Sequence, residues 1–284
     1  MKGAFLMLVS MFIFSAVDTQ AKFLTTTIDP LQVAWHRQTG LLFGVIILLI
    51  WRGHHILQTT KFGLQIGRGT CAALSTSLFI FGVSFVPLAD AVAVTFIAPL
   101  LVTIMGALLL GEYVGIHRWA AVILGFIGTL VIIRPGFDSF HPALILPLIA
   151  ACLFAGRQVI SRFLSGIDKT ETTVAYTAIA STIILTLPIP FVWTTPQTHT
   201  EILLIISMAS MAAIAELLVI KALEIALAVV VSPMQYTIII WSSFYGFMVF
   251  DQLPDLYTVG GTAIIILSGL YTLHRERLRK LIAD

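Results

Sequence analysis

The sequence predicts an all-α integral membrane protein of ten transmembrane helices, arranged as two inverted five-helix repeats. Three observations lead to this prediction: the chain is too apolar for a soluble protein, it divides into ten apolar segments of membrane-spanning length, and its two halves match at a nearly constant offset. The three are independent, since composition, segment length and internal symmetry are different properties of a sequence.

The composition indicates that most of the surface faces lipid. The chain has 284 residues, of which 58% are hydrophobic and 11% are charged, and its mean hydropathy is +1.02. Soluble domains carry roughly 25% charged residues, so this chain lacks the charge to coat a water-facing surface. The net charge is +2, and no long basic run is present. The lipid bilayer is therefore a predicted partner, and nucleic acid is not.

Ten apolar segments have the length of a membrane span. A helix needs about 20 apolar residues to cross the hydrocarbon core, because each residue adds about 1.5 Å. Turn-forming pairs such as Asp29-Pro30, Thr195-Pro196 and Leu253-Pro254 fall between the segments. The predicted spans are 3–24, 31–51, 67–86, 90–110, 116–133, 143–164, 173–193, 201–222, 227–250 and 256–273.

The distribution of basic residues predicts the orientation. With the N-terminus inside, twelve of the 16 Lys and Arg residues fall in inner segments, while Lys22, Arg37 and Arg134 fall outside and Arg157 lies within a span. Basic residues concentrate on the cytoplasmic side of membrane proteins. The sequence therefore predicts a multi-pass protein of the cell (inner) membrane with both termini in the cytoplasm. Arg68 is counted with the inner-loop charges, and Arg37 is interpreted as an interface residue whose charge reaches water.

Two segment pairs indicate an internal repeat. Residues 14–24 parallel residues 154–164 at an offset of 140, so that Lys22 corresponds to Arg162. Gly111-Glu112 parallels Phe250-Asp251 at an offset of 139. Each half then holds five spans, and because five is odd the second half enters the membrane from the opposite side. Inverted repeats of this kind are typical of alternating-access transporters.

The predicted domain boundaries follow from the repeat. The first five-helix repeat covers residues 1–136, the second covers residues 141–274, and residues 275–284 form a basic cytoplasmic tail.

Among the polar residues within the predicted spans, four are candidates for substrate binding: Asp18, Arg157, Gln158 and Glu216. An ionisable group inside the bilayer is costly, so it usually faces a cavity or a partner. Asp18 is a candidate for binding a substrate amine or a coupling proton, or is a polar residue that reaches the interface. Arg157 can hold an anionic substrate group or form a structural ion pair with Glu216, and Glu216 can carry a coupling proton.

A second group of candidates is aromatic and polar. Gln235, Tyr236 and Trp241 follow Pro233 in the ninth span, where the proline interrupts the helical hydrogen bonds and frees carbonyl groups. Such a set suits a stacked planar ligand, although core packing explains Trp241 equally well. Phe96 occupies the matching part of the fourth span.

The sequence contains no recognisable catalytic, ATP-binding or metal-binding motif. Cys71 and Cys152 each lie in an apolar stretch, where packing is their expected role. We therefore expect neither an enzyme nor a resident metal or cofactor. The spacing of Gly40 and Gly44 is typical of helix packing and leaves a homodimer open.

Several motifs resemble the EamA type of the drug/metabolite transporter superfamily along nearly the whole chain. They are the Lys22-bearing end of the first span, Asp29-Pro-Leu-Gln-Val-Ala-Trp-His-Arg37, Pro87-Leu-Ala-Asp-Ala91, Pro99, Gly111-Glu112, Gly125-Phe-Ile-Gly128 and Arg134-Pro-Gly136. Within the family, Ser15-Ala16 with Asp18 and Lys22, Arg118-Trp119 and Lys221-Ala222 are most similar to bacterial S-adenosylmethionine uptake transporters. Asp251 departs from the Glu that the second repeat of the family usually carries.

The resemblance implies secondary transport of a small organic metabolite, S-adenosylmethionine or a similar compound, through a cavity between the repeats. An exporter of the same family and a riboflavin-type uptake carrier stay open as alternatives. A membrane-embedded enzyme would need carboxylates or histidines clustered at one membrane face, whereas the polar residues here lie at scattered depths.

Overall fold

A computed structural model describes residues 2–110, 116–134, 141–164, 167–225 and 234–283. Within these ranges every extended regular element is a helix, which confirms the predicted all-α class. Gly111-Glu112 and Pro233, both used in the sequence analysis, lie outside the described residues.

Twelve α-helices are described, and two short 3-10 helices (His54–Leu57 and Pro142–Leu144) connect some of them. In the first half these are α1 (Lys2–Leu24), α2 (Pro30–Arg52), α3 (Phe62–Phe85), α4 (Leu88–Thr95), α5 (Ala98–Leu110) and α6 (Ile116–Ile133). In the second half they are α7 (Ile145–Leu164), α8 (Thr170–Thr186), α9 (Ile189–Val192), α10 (His199–Ile225), α11 (Ile238–Phe250) and α12 (Leu256–Ala283).

Six apolar segments are long enough to cross a membrane by length and composition. They are Lys2–Leu24, Pro30–Arg52, Phe62–Phe85, Leu88–Gly106, Pro142–Leu164 and His199–Val219. Shorter apolar helices occupy Ile123–Ile133, Ile238–Phe250 and Leu256–Tyr271. The total of ten spans stays a prediction.

Several predicted segments differ from the structure in detail. The seventh span, predicted over 173–193, is divided into α8 and α9 by a turn at Leu187 and Pro188. The fourth span is broken at Phe96 and Ile97, where a turn separates α4 from α5. Pro99 follows this break, and proline cannot donate the backbone hydrogen bond that an uninterrupted helix would need there. At the other end of the chain, α12 continues to Ala283, so the predicted tail extends the last helix.

The outer surface of the bundle is apolar. Phe191 is 89% exposed, Leu256 83% and Trp51 82%, values that a water-facing surface of this extent would not tolerate. The interior instead contains small and branched residues such as Ala34, Ala73 and Val83, all fully buried. This distribution is the one expected where the outer solvent is lipid.

The packing of the helices crosses between the two halves of the chain. In the most extensive contacts, α1 packs along α10, α3 packs along α7, and α6 packs along α12. Where α6 crosses α12, a Cβ at Gly128 would lie 2.8 Å from the Gly261 carbonyl oxygen, and a Cβ at Gly261 would lie 2.5 Å from the Gly128 oxygen. Only glycine permits this contact between two backbones.

Candidate functional site

Asp18 and Arg37 form an ion pair between consecutive helices. Arg37 Nη1 donates to Asp18 Oδ1 at 2.8 Å, and the two side chains are only 17% and 6% exposed, respectively. The two residues can pair because they lie at similar distances from the loop that joins their helices. Asp18 lies about 9 Å before the end of α1, and Arg37 lies about 10 Å after the start of α2. Arg37 is therefore not at the interface as expected, and Asp18 already has a cationic partner.

By contrast, Arg157 and Glu216 form no salt bridge with another described residue. The Arg157 side chain makes no hydrogen bond to another described residue, its Nε is buried without a partner, and its Cζ lies 4.8 Å from the centre of the Phe154 ring. Glu216, on α10, is half-buried. In the part of the chain that the structure describes, no salt bridge joins Glu216 to Arg157. The ion pair considered for these residues is therefore not formed there.

Arg68 is a member of this cluster that the sequence analysis missed. It was counted as a loop charge because the third span was predicted to begin at Gly67, whereas α3 begins at Phe62. Arg68 is linked to Arg157 through Ser161, whose hydroxyl accepts from Arg68 Nε and donates to the Arg157 carbonyl. The depth of Arg68 in the bundle could have identified it. Arg68 lies about 9 Å into α3, and Arg157 lies about 10 Å from the end of α7.

Gln158 lies beside Arg157 on α7 and is half-buried. Successive residues of a helix point about 100° apart, so Gln158 and Arg157 face different neighbours. The structure describes no hydrogen bond from the Gln158 amide to another described residue. Gln158 adds a neutral polar group next to the charged cluster.

Phe96 and Tyr236 are brought together, as the matching positions on the fourth and ninth spans suggest. Their ring centres lie 5.3 Å apart at an interplanar angle of 78°. The Tyr236 hydroxyl lies against the backbone of Gly269 on α12, where a side chain would collide with it. Gln235 is exposed. The pair of rings therefore closes one side of the bundle interior, next to the break between α4 and α5.

Trp241 packs into a hydrophobic cluster. It contacts the Phe12 ring edge-on at a centre-to-centre distance of 5.0 Å, and the cluster also includes Met7, Met11 and Ala222. Its indole Nε1 is buried without a hydrogen-bond partner among the described residues. A buried indole N–H usually finds a partner, so this donor is available to a ligand that reaches the cluster.

Polar side chains tie the two halves together at the Lys22 end of the bundle. Lys22 Nζ donates to the Val86 carbonyl at 2.5 Å and to Gln252 Oε1 at 3.0 Å. Close by, the Thr258 hydroxyl donates to Asp90 at 2.7 Å. Each of these bonds from Lys22 to Gln252 and from Thr258 to Asp90 joins the first half of the chain to the second.

The opposite, Asp168 end of the bundle is tied in the same way. Gln65 Nε2 and the Thr59 hydroxyl donate to Asp168 Oδ2 at 2.7 Å and 2.5 Å. Arg52 forms a salt bridge to Glu171 at the same end. Bonds between the two halves therefore join the bundle at both ends.

Two surface cavities lie away from the predicted residues. One of about 360 Å³ is lined by Thr182, Ile183, Thr186, Leu187 and Pro190. The other, of about 210 Å³, is lined by Ile97, Leu100, Leu101, Ile104, Ile123, Phe126 and Ile127. The second has almost no polar lining, so it offers a charged or polar metabolite nothing to bind.

Comparisons with known proteins agree on one family. Residues 1–134 match the EamA-like transporter family. The chain is 33% identical over 216 residues to a riboflavin transporter of Vibrio cholerae, covering 75% of this chain and 72% of that protein. It is 27% identical over 274 residues to an S-adenosylmethionine uptake transporter of Rickettsia prowazekii, covering 95% and 92% of the two chains.

Two further similarities extend over almost the full length. The chain is 24% identical to a pseudopaline exporter of Pseudomonas aeruginosa over 94% of each protein. A crystal structure of a protein with 18% sequence identity superposes with a TM-score of 0.64 and covers 98% of both chains. At this identity the superposition establishes a common fold.

Proposed function

This chain belongs to the EamA-like transporter family and is a multi-pass membrane transporter of a small metabolite, and we propose that it works as a secondary transporter by alternating access. In this proposal the substrate is bound and released without chemical change, so the chain is not an enzyme. The metabolite is S-adenosylmethionine or a similar compound.

The observation that carries the proposal is charge inside the bundle that has no partner among the described residues. Arg157 has a buried Nε without a hydrogen-bond partner, and Glu216, half-buried on α10, forms no salt bridge in the described part of the chain. Uncompensated charge in a low-dielectric interior is unfavourable, so such groups mark a ligand path rather than a packing role. Both are predicted substrate-binding residues. Asp18, which is paired with Arg37, supports the packing of α1 against α2 in this proposal.

The packing pattern supports the inverted repeat that alternating access requires. A repeat with an offset of 140 equates the first span with the sixth and the third with the eighth. The contact of α1 with α10 then corresponds to the contact of α7 with α3, and these are the two most extensive packings in the described chain. In such a carrier, the Lys22 end and the Asp168 end open in turn.

The similarity to S-adenosylmethionine uptake transporters over 95% of the chain supports import of that metabolite. The pseudopaline exporter is also similar over nearly the whole chain, so the direction has to be measured. Purified protein in liposomes, offered labelled S-adenosylmethionine and riboflavin, should accumulate one of them saturably. Counterflow from preloaded liposomes then gives the direction. Failure of both compounds to enter above the protein-free level would contradict the proposal.

The orientation follows from the charge count and is tested separately. Reporter fusions after Trp51, Leu164 and Lys280 should report the cytoplasm, and a fusion after Trp193 should report the outside. A cytoplasmic signal at Trp193 would overturn the assignment of the spans.

A further inference from the structure

Arg68 and Arg157 lie side by side on two helices that pack along each other. Arg68 Nε donates to the Ser161 hydroxyl at 2.8 Å, and that hydroxyl donates to the Arg157 carbonyl at 2.8 Å. One turn from Arg68, Cys71 faces Gly156, the residue that precedes Arg157. These contacts join the Arg68 side chain to α7 through Ser161 and the backbone carbonyl of Arg157.

The two arginines differ in what holds them. Arg68 is fixed, because its Nη1 also donates to the Thr173 carbonyl at 3.2 Å and to the Thr177 hydroxyl. All of these partners are neutral, so the Arg68 charge is hydrogen-bonded but not neutralised. Arg157 rests on the Phe154 ring, and its N–H groups have no acceptor among the described residues. Arg68 is thus fixed by hydrogen bonds, whereas the Arg157 donors have no acceptor in the described part of the chain.

The charges of the two arginines define what completes this arrangement. Both guanidinium groups are cations, because arginine stays protonated in proteins. A carboxylate of a ligand supplies the negative charge that the neutral hydrogen-bond partners of Arg68 do not provide. A planar carboxylate matches the fork of a guanidinium with two parallel hydrogen bonds, which is the geometry that the free donors of Arg157 offer.

We propose that Arg157 binds a carboxylate of the transported molecule and that Arg68 positions Arg157 for it. This inference rests on the proposed transport function. It narrows the substrate to a metabolite that carries a carboxylate at the end that enters the bundle. Metabolites without an anionic group are disfavoured, because nothing in them would compensate the Arg157 charge when the site is closed off from water.

The test compares two ligands that differ only by this group. S-adenosylmethionine should raise the melting temperature of the purified full-length protein, and its decarboxylated derivative should bind at least about tenfold more weakly. Acetate against acetamide, at millimolar concentration, makes the same comparison without the rest of the metabolite. Equal stabilisation by both members of each pair, or by neither, would overturn the proposal.

Substitutions assign the effect to the two arginines. Arg157→Gln should remove the preference for the carboxylate, while Arg52→Gln, which changes an exposed arginine at the Asp168 end, should keep it. Arg68→Gln should lower the affinity ratio of the two ligands towards one, and Arg68→Lys should restore part of it. A ratio that Arg68→Gln leaves unchanged would contradict the positioning role.

The result that would contradict the proposed transport function differs from the result that would contradict the carboxylate site. If the carboxylates stabilise the protein but no labelled compound enters liposomes, the anion site stands and transport is contradicted. If riboflavin enters and the decarboxylated ligand binds as well as S-adenosylmethionine, transport stands and the carboxylate site is contradicted.

Discussion

The Asp18–Arg37 pair and the Arg157–Glu216 set place opposite charges at comparable depths in the bundle, but only the first is closed. Arg37 and Asp18 meet at 2.8 Å within one helical hairpin, whereas Arg157 and Glu216 lie on helices from the same half of the chain without a salt bridge among the described residues. The closed pair holds two helices together. In the proposed function the open set keeps its charges for a ligand, so proximity to the membrane centre alone does not identify a binding residue.

The largest expected effect is on the closed pair. Arg37→Gln leaves the buried Asp18 carboxylate without its partner, so we expect a loss of about 3–5 kcal/mol in the free energy of unfolding. The double variant Asp18→Asn, Arg37→Gln removes both charges and should recover most of it. The free energy of unfolding of the single and the double variant can be measured in detergent. A single variant as stable as the wild type would show that the pair is not structural.

A smaller loss is expected at Gly40, one turn from Arg37 on α2. A Cβ there would collide with the backbone carbonyl of Ala209 on α10, so Gly40→Ala should cost about 1–3 kcal/mol by overpacking. Gly44 has open space around it. Gly44→Ala, the matched control, should be neutral or stabilising by up to about 1 kcal/mol, because alanine favours a helix over glycine. Equal losses for both variants would contradict this packing contact.

The open set should behave in the opposite way. Arg157→Gln and Glu216→Gln remove no salt bridge of the described structure, so each should change the free energy of unfolding by less than about 1 kcal/mol. Transport should nevertheless fall at least about tenfold in both, measured as initial uptake into liposomes. Poorly folded single variants that the double variant rescues would instead establish a hidden structural pair and remove both residues from the site.

The smallest effect concerns pH at the Lys22 end. Burial raises the pKa of Asp255, but hydrogen bonds from Thr258 and the Arg134 guanidinium, 2.7 Å away, outweigh it and leave the pKa below the usual 3.8. The stabilisation is therefore fully present above pH 3.8 and is lost as the pH falls through the lower folded-state pKa. Melting of Asp255→Asn should lack this acid-dependent component, and an unchanged profile would contradict it.

The fold was predictable where length and apolar composition decide it, as in α1, α2, α3, α7 and α10. The break after α4 was signalled by Pro99, although its position at Phe96 depends on packing against Tyr236. The number of spans and the repeat stay predictions, supported by the packing pattern.

The candidate site was predictable only in part. Arg157 and Glu216 were identifiable because charge is rare in such segments. Arg37 was assigned to the interface and Arg68 to the inner end of the third span, because both lie near the ends of spans whose boundaries were taken from hydropathy alone. Counting residues from the ends of the observed helices places Arg37 at the depth of Asp18 and Arg68 at the depth of Arg157. The free indole N–H of Trp241 follows from side-chain packing, which periodicity does not contain.

The crossing of α6 and α12 has a consequence for how motion in this protein can be measured. Because Gly128 and Gly261 put two backbones in contact, neither helix can turn about its own axis without driving a side chain into the other. The two helices therefore move as one body. Spin labels on their lipid-facing residues Phe126 and Leu267, which are 52% and 66% exposed, should keep a constant separation. The distance between these two labels can serve as an internal reference for distances measured elsewhere in the bundle.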